Sequence, residues 1–237
     1  MRKGQIYSPA ALENDIARME RFANQRGIDF INIIPKTTRN DIKLSLNIDY
    51  SIERSQRLFV ERIDIEGNTA TLDRVIRRQF RLVEGDPFNA REIRASTRRI
   101  RALGFFTDVS VTTRAGNGPE NIIIDVTVVE KPTGSLNFGA AYSTAAGLGG
   151  TIEYNEKNFL GRGQSLSFKI NAGTGNQTYS FDFSEPSFLY EDLKLSLGAA
   201  YRETQQQFSD YNTTALEVRP QVSFMISERA RLGIRYF

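Results

Sequence analysis

The chain has 237 residues, no Cys and no His, 25% charged residues and a formal net charge of +3. Those two absences exclude a disulfide framework, thiolate chemistry and imidazole-based acid–base or metal chemistry. The charge is uneven: residues 1–131 hold 22 Lys and Arg against 18 Asp and Glu, residues 132–237 hold 9 against 10, and 11 of the 18 Gly fall in the second, shorter part.

Met1-Arg2-Lys3 has the basic start of a signal peptide, but no apolar stretch follows, and no run reaches the length of a transmembrane helix. Ser8 and Pro9 read as the N-cap and first residue of a helix. Its apolar positions Leu12, Ile16, Met19 and Ala23 recur at helical spacing until Gly27 stops it. Two strands are predicted next, at 30–35 and 42–50, around the turn Arg39-Asn40-Asp41. In the second, Ile42, Leu44, Leu46, Ile48 and Tyr50 alternate with Lys43, Ser45, Asn47 and Asp49.

The same order returns in fuller form. Residues 60–66 predict a strand closed by Gly67-Asn68-Thr69, followed by a helix with Leu72, Val75, Ile76 and Phe80 on one side. Asn89 and Glu92 have capping-box spacing, opening a second helix buried along Ile93, Thr97 and Ile100 and stopped by Gly104. A hairpin of 105–114 and 121–129 follows, around 115–119. The unit is therefore strand–helix–helix–strand–strand. Gly4-Gln5-Ile6-Tyr7 aligns with Gly85-Asp86-Pro87-Phe88, and Gly27 with Gly104. The first copy is thus expected to lack its opening strand and helix, as if the chain were cut at its N-terminus. Arg91, Arg94, Arg98, Arg99 and Arg101 crowd the second helix. They suit lipid phosphates or an acidic partner, or the solvated face of an amphipathic helix, while the lack of interleaved aromatics argues against nucleic acid.

From Pro132 the helical signal gives way to a period of two. Leu136, Phe138, Ala140 and Tyr142 oppose Ser135, Asn137, Gly139 and Ala141. Six further segments follow the pattern, with Tyr154, Phe168, Tyr179, Phe181, Phe183, Tyr201, Phe224 and Tyr236 on the apolar side. Such segments approach the 9–11 residues that cross a bilayer at a tilt, longer than the usual soluble strand, and charges stay on the polar face. Pro220 predicts a bulge or local distortion. Seven strands is an odd number, so the barrel is expected to be incomplete. Turns near 144–149, 173–177 and 203–213 fall on one side. Turns at 158–164, 185–192 and 227–230 fall on the other, with the preceding soluble part.

Three stretches at suitable spacing resemble a POTRA (polypeptide-transport-associated) module: Ile63-Asp64-Ile65-Glu66-Gly67-Asn68-Thr69, Glu84-Gly85-Asp86-Pro87-Phe88 and Leu103-Gly104-Phe105-Phe106-Thr107-Asp108-Val109. Such modules precede the barrels of the BamA superfamily. Residues 135–142 are similar to that family's first barrel strand, and 158–163 and 185–189 to its periplasmic turns; its Val-Arg-Gly-Phe/Tyr lid-loop motif is absent. The resemblance implies α+β POTRA modules (β-α-α-β-β) followed by an antiparallel transmembrane β-barrel, with about seven of its strands here. The expected domains are 1–57, a partial module; 58–131, a complete one; and 132–237, the start of the barrel.

The resemblance further implies a non-enzymatic factor, without cofactor or metal, that folds and inserts β-barrel proteins into the outer membrane of a Gram-negative bacterium, its POTRA part periplasmic. Implied partners are unfolded outer-membrane clients, periplasmic lipoprotein subunits and outer-membrane lipid, with no nucleic acid. A related autotransporter-assembly or two-partner-secretion transporter is the alternative. In that family the client-accepting edge is the first barrel strand, here Gly134, Ser135, Leu136, Asn137, Phe138, Gly139, Ala140, Ala141 and Tyr142. Thr107, Val109 and Val111 mark a POTRA edge, and Glu84 matches an acidic lipoprotein-docking position. On residue chemistry alone, Gly139-Ala140-Ala141 is either a weakly packed seam or relief of crowding, and Glu84 is either a contact or a solvated loop carboxylate.

Overall fold

The computed structural model describes residues 4–28, 30–42, 44–54, 56–143, 147–190, 193–205, 212–227 and 230–236. Expectations that fall on Met1-Arg2-Lys3, Lys43 or Phe237, or on residues 144–146, 191–192, 206–211 and 228–229 within the turns, lie outside the described residues. The chain forms two compact units. One comprises Met1–Asp64, Arg81–Ile93 and Thr112–Asp125; the other comprises Ile65–Phe80, Arg94–Val111 and Val126–Phe237. Among the described residues no helix is long and apolar enough to cross a membrane.

The first unit begins with α1 (Pro9–Gln25). Ser8 Oγ accepts the Ala11 N–H at 3.4 Å, as an N-cap does. Gly27, at φ +72°, lets the Ile28 N–H return to the Ala23 carbonyl at 3.0 Å. Leu12 and Ile16 of α1 pack with Ile33, and Met19, Ile31, Ile48 and Tyr50 close around them. β1 (Ile31–Asn40) and β2 (Ser45–Arg54) pair antiparallel, Ile31 opposite Arg54 and Asn40 opposite Ser45. The hairpin turns later than expected. Asn40 Oδ1 accepts the Ile42 N–H at 3.2 Å, an Asx-type turn that takes Ile42 and Leu44 out of the strand. Ile42 and Leu44 are exposed, and Leu44 has φ +48°.

β3 (Phe59–Glu66), α2 (Asp73–Arg77), α3 (Ala90–Ala102), β4 (Phe106–Ala115) and β5 (Asn121–Glu130) realise the second copy, with sheet order β3-β5-β4. The expected alignment of the copies is visible in the backbone. Gly4 and Gly85 have φ +82° and +96°, and Gly27 and Gly104 have +72° and +74°. In the first unit the 84–88 loop lies along β3. The Val60 N–H meets the Asp86 carbonyl at 2.9 Å, and the Gly85 N–H meets the Val60 carbonyl at 2.7 Å.

In the second unit α2 is only five residues long. The Gln79 and Phe80 N–H groups bond three residues back, to Ile76 and Arg77, which tightens the turn and ends the α-helix. Val75 and Ile76 are fully buried, but Leu72 sits before the helix in extended conformation and is exposed, correcting its expected place on the buried side. On α3 the fully buried polar position is Ser96, not Thr97. Both spacings lie on one helical stripe, and the smaller Ser has its hydroxyl satisfied by Arg99 Nη2 at 2.9 Å.

The rest of the second unit is one sheet of seven strands, each antiparallel to the next in chain order. They are β6 (Gly134–Ser143), β7 (Gly147–Phe159), β8 (Gln164–Gly173), β9 (Asn176–Glu185), β10 (Leu193–Gln205), β11 (Asn212–Ser227) and β12 (Ala230–Arg235). Register puts like with like. Leu136, Tyr154, Phe168, Phe181, Ala199 and Val218 form one row across six strands. Asn137, Glu153, Lys169, Ser180, Ala200 and Glu217 form the adjacent row, on the opposite face. A one-residue slip anywhere would break both rows, so the amphipathic pattern itself fixes register.

The bulge expected at Pro220 is absent. Pro220 pairs with Leu197 in unbroken register, and the irregularity lies between Met225 and Ser227. The Pro220 carbonyl accepts the Tyr236 N–H at 3.1 Å, so the missing proline N–H faces the end of β12, where a lost ladder bond costs little.

Candidate functional site

β6 closes one end of the seven-stranded sheet and pairs with β7 alone among the described residues. Gly134, Ser135, Leu136, Asn137, Phe138, Gly139, Ala140, Ala141 and Tyr142 all lie on it. Phe138 and Tyr142 are 72% and 74% exposed. Three residues in its second half form small pairs, Gly139 facing Thr151, Ala140 facing Gly150 and Ala141 facing Gly149, before Tyr142 faces Leu148. Cross-strand side-chain pairs contribute roughly 0.2–1 kcal/mol each, and these three small pairings forgo most of that.

Thr107, Val109 and Val111 share β4, an outer strand of the module's sheet. Val109 is 1% exposed, so its side chain belongs to the core and only its main chain can reach a partner. Its carbonyl accepts Arg101 Nη2 at 2.7 Å, and Thr107 Oγ1 donates to the Val129 carbonyl at 3.1 Å. Glu84 stands elsewhere, in the loop along β3, where its carboxylate accepts the Ile63 N–H at 3.3 Å. β3 is thus the covered edge of this sheet and β4 the more open one.

Sequence reasoning missed a polar cluster where β5 leads into β6, all of it inside the second unit. The Glu130 carboxylate accepts the Thr69 N–H (3.1 Å), the Thr69 hydroxyl (2.8 Å), the Ala70 N–H (2.8 Å) and the Thr71 N–H (2.7 Å). Burial alone would push this carboxyl up, but the hydrogen bonds outweigh it and hold the pKa down at about 2. Thr71 Oγ1 in turn accepts Asn158 Nδ2 at 2.8 Å, and Asn158 Oδ1 accepts the Gly163 N–H at 2.8 Å. The Leu72 N–H donates to the Gly161 carbonyl at 2.9 Å. Gly161, at φ +69°, comes so close that an added Cβ would lie 2.0 Å from the Ala70 carbonyl oxygen. The turn at 158–163 is therefore docked onto residues 70–72 by backbone contact that only glycine allows. Nearby, burial lowers the Arg78 guanidinium, with the Glu185 carboxylate opposing. The available signal was Gly67, Gly161 and Gly163 beside Thr and Asn, but nothing local says that these loops meet.

The arginine cluster is only partly a solvated face. Arg91 forms ion pairs with Glu13 (2.6 Å) and Glu20 (3.1 Å) of α1; burial pushes Glu20 up, with Arg91 opposing. Arg99 donates to the Gln79 carbonyl at 2.7 Å, whereas Arg94 and Arg98 are exposed. On the polar face of the large sheet Asp182 and Arg219 approach to 3.9 Å across Gly198, where a Cβ would lie 2.8 Å from Asp182 Oδ1. Among the described residues no group of three His, Cys, Asp or Glu could hold a metal ion.

A family model for POTRA, described as surface antigen variable number repeat, matches residues 58–131. One for the Omp85 superfamily domain matches 158–236. The outer membrane protein assembly factor BamA of Neorickettsia risticii is 26% identical over 237 residues, all of this chain and 32% of that protein. The chain thus spans about a third of the length of that relative. The crystal structure of BamA from Haemophilus ducreyi lacking POTRA domains 1-3 is similar at a TM-score of 0.66 and 21% identity, covering 98% of this chain and 45% of that one. CdiB from Acinetobacter baumannii is similar at 0.54 and 13% identity, covering 95% and 44%. These two structural likenesses speak to the fold.

Proposed function

Because the chain joins a POTRA module to an Omp85 superfamily domain and resembles BamA-type assembly factors along its length, we propose that it folds and inserts β-barrel proteins into the outer membrane of a Gram-negative bacterium. The observation that carries this reading is the succession of a POTRA match at 58–131 and an Omp85 superfamily match at 158–236 in one chain, with β6, the first strand of the large sheet, between them. The outward N–H and C=O groups of β6 suit an incoming strand, which β-augmentation would add without any bond chemistry. Gly134 to Tyr142 form the proposed acceptor. Unfolded outer-membrane proteins are the proposed clients.

The same reading divides the chain into a partial module at 1–57, a complete module at 58–131 and barrel strands at 132–237. The modules face the periplasm, with Thr107, Val109 and Val111 as a secondary edge for client strands. Glu84 is the proposed contact for periplasmic lipoprotein subunits, and the apolar rows meet outer-membrane lipid. No catalysis, cofactor or nucleic acid is called for. Depleting the protein from cells tests the reading: newly made outer-membrane proteins as a class should accumulate unfolded. A transporter dedicated to autotransporters or to one secreted partner would leave the class unaffected.

A further inference from the structure

Two turns at one rim of the seven-stranded sheet hold leucine where the backbone favours glycine. Leu160, between β7 and β8, has φ +54°, and Leu189, between β9 and β10, has φ +56°. Left-handed geometry is costly for a branched side chain and persists where surroundings or function demand it. The leucine side chains themselves are not packed, being 67% and 71% exposed, although the backbone of the 158–163 turn is docked at Gly161. The turns are neighbours: Gln164 Nε2 donates to Glu185 Oε2 at 2.6 Å, linking their bases, and each leucine lies four residues from that pair. Lys157 and Arg162 beside Leu160 are exposed cations.

We propose that Leu160 and Leu189 are interfacial anchors that dip into the boundary between headgroups and acyl chains of the leaflet on this side, with Lys157 and Arg162 reaching lipid phosphates. The inference rests on the membrane-spanning reading of the sheet. A bilayer fits better than a protein partner for two reasons. The turns directly continue strands whose apolar rows face lipid in that reading, Leu160 following the last residue of β7 and Leu189 lying four residues past β9. Apolar side chains beside long cations are also the composition of a membrane–water boundary, where the charged heads snorkel to phosphate.

These 237 residues hold no Cys, and any Cys elsewhere in the full-length protein is first replaced by Ser so that single substitutions give clean labelling. Leu160→Cys, Leu189→Cys and, as a soluble-side reference, Gln25→Cys would carry a polarity-sensitive fluorophore in the full-length protein refolded into vesicles of phosphatidylethanolamine and phosphatidylglycerol. Protease protection of the strands first scores integration. Expected are blue-shifted emission at 160 and 189, several-fold weaker quenching by iodide than at 25, and quenching by headgroup-proximal nitroxide lipid. Integrated protein whose labels at 160 and 189 are as accessible to iodide as the one at 25 overturns the anchor alone. Protein that fails to integrate overturns the membrane reading beneath it.

Discussion

Phe168 of β8 and Phe181 of β9 stand directly opposite each other, ring centroids 5.1 Å apart and planes inclined by 50°. They lie in the middle of the apolar row that runs from Leu136 to Val218. Their neighbours in sequence, Lys169 and Ser180, are also paired, in the polar row behind.

That pairing predicts a sharp difference between faces. A charge on the lipid side of a barrel costs about 2–4 kcal/mol at the midplane. Phe168→Arg or Phe181→Lys should therefore stop the full-length protein from integrating, while Ser180→Lys on the opposite face should be tolerated. Protease protection in membranes checks this. Normal integration of the Phe variants, or equal failure of all three, would contradict the facing.

The docked turn predicts an intolerance at Gly161. A methyl group there meets a backbone oxygen and forces a residue with a side chain to φ +69°. Gly161→Ala should destabilise by about 2 kcal/mol or more, since strain and clash add. Gly175→Ala, where a Cβ meets nothing closer than 3.5 Å and φ is ordinary, is the matched control. Thermal unfolding in detergent reads the difference.

Glu130 predicts a pH dependence with a definite sign. Its folded pKa of about 2 lies below the reference value of 4.5. The stabilisation is therefore complete above 4.5 and is lost as pH falls from there through about 2. Glu130→Gln should remove that slope and cost about 1–2 kcal/mol at neutral pH, allowing for screening at a partly open site. Urea titrations across this pH range test both parts.

Much of the architecture was legible because it rests on local pattern. The strands β6 to β12 follow from alternation with a constant phase, and α1 and α3 from caps and glycine stops. The first hairpin was misplaced because Ile42 and Leu44 keep the alternation while an Asx turn at Asn40 takes the backbone out of it. Leu72 matched the helical stripe, yet its N–H is taken by Gly161, far away in sequence. Pro220 looked like a defect because a single strand does not reveal which neighbour its missing donor faces. The Glu130 cluster joins three distant segments, and no periodicity encodes such a meeting. β6 was legible as a strand through alternation, while its proposed role as an acceptor rests on resemblance.

The most direct test of the central claim is disulfide trapping on β6. In full-length protein with any Cys outside these 237 residues replaced by Ser, Ser135→Cys or Asn137→Cys can be challenged with Cys along the terminal strand of a client stalled during assembly. Bonds are expected from β6 in the stepwise register of a paired strand, and none from Ser180→Cys in the interior strand β9. A client that stalls on the protein and goes on to fold, yet bonds to Ser180→Cys as readily as to β6 or never bonds to β6, would contradict it.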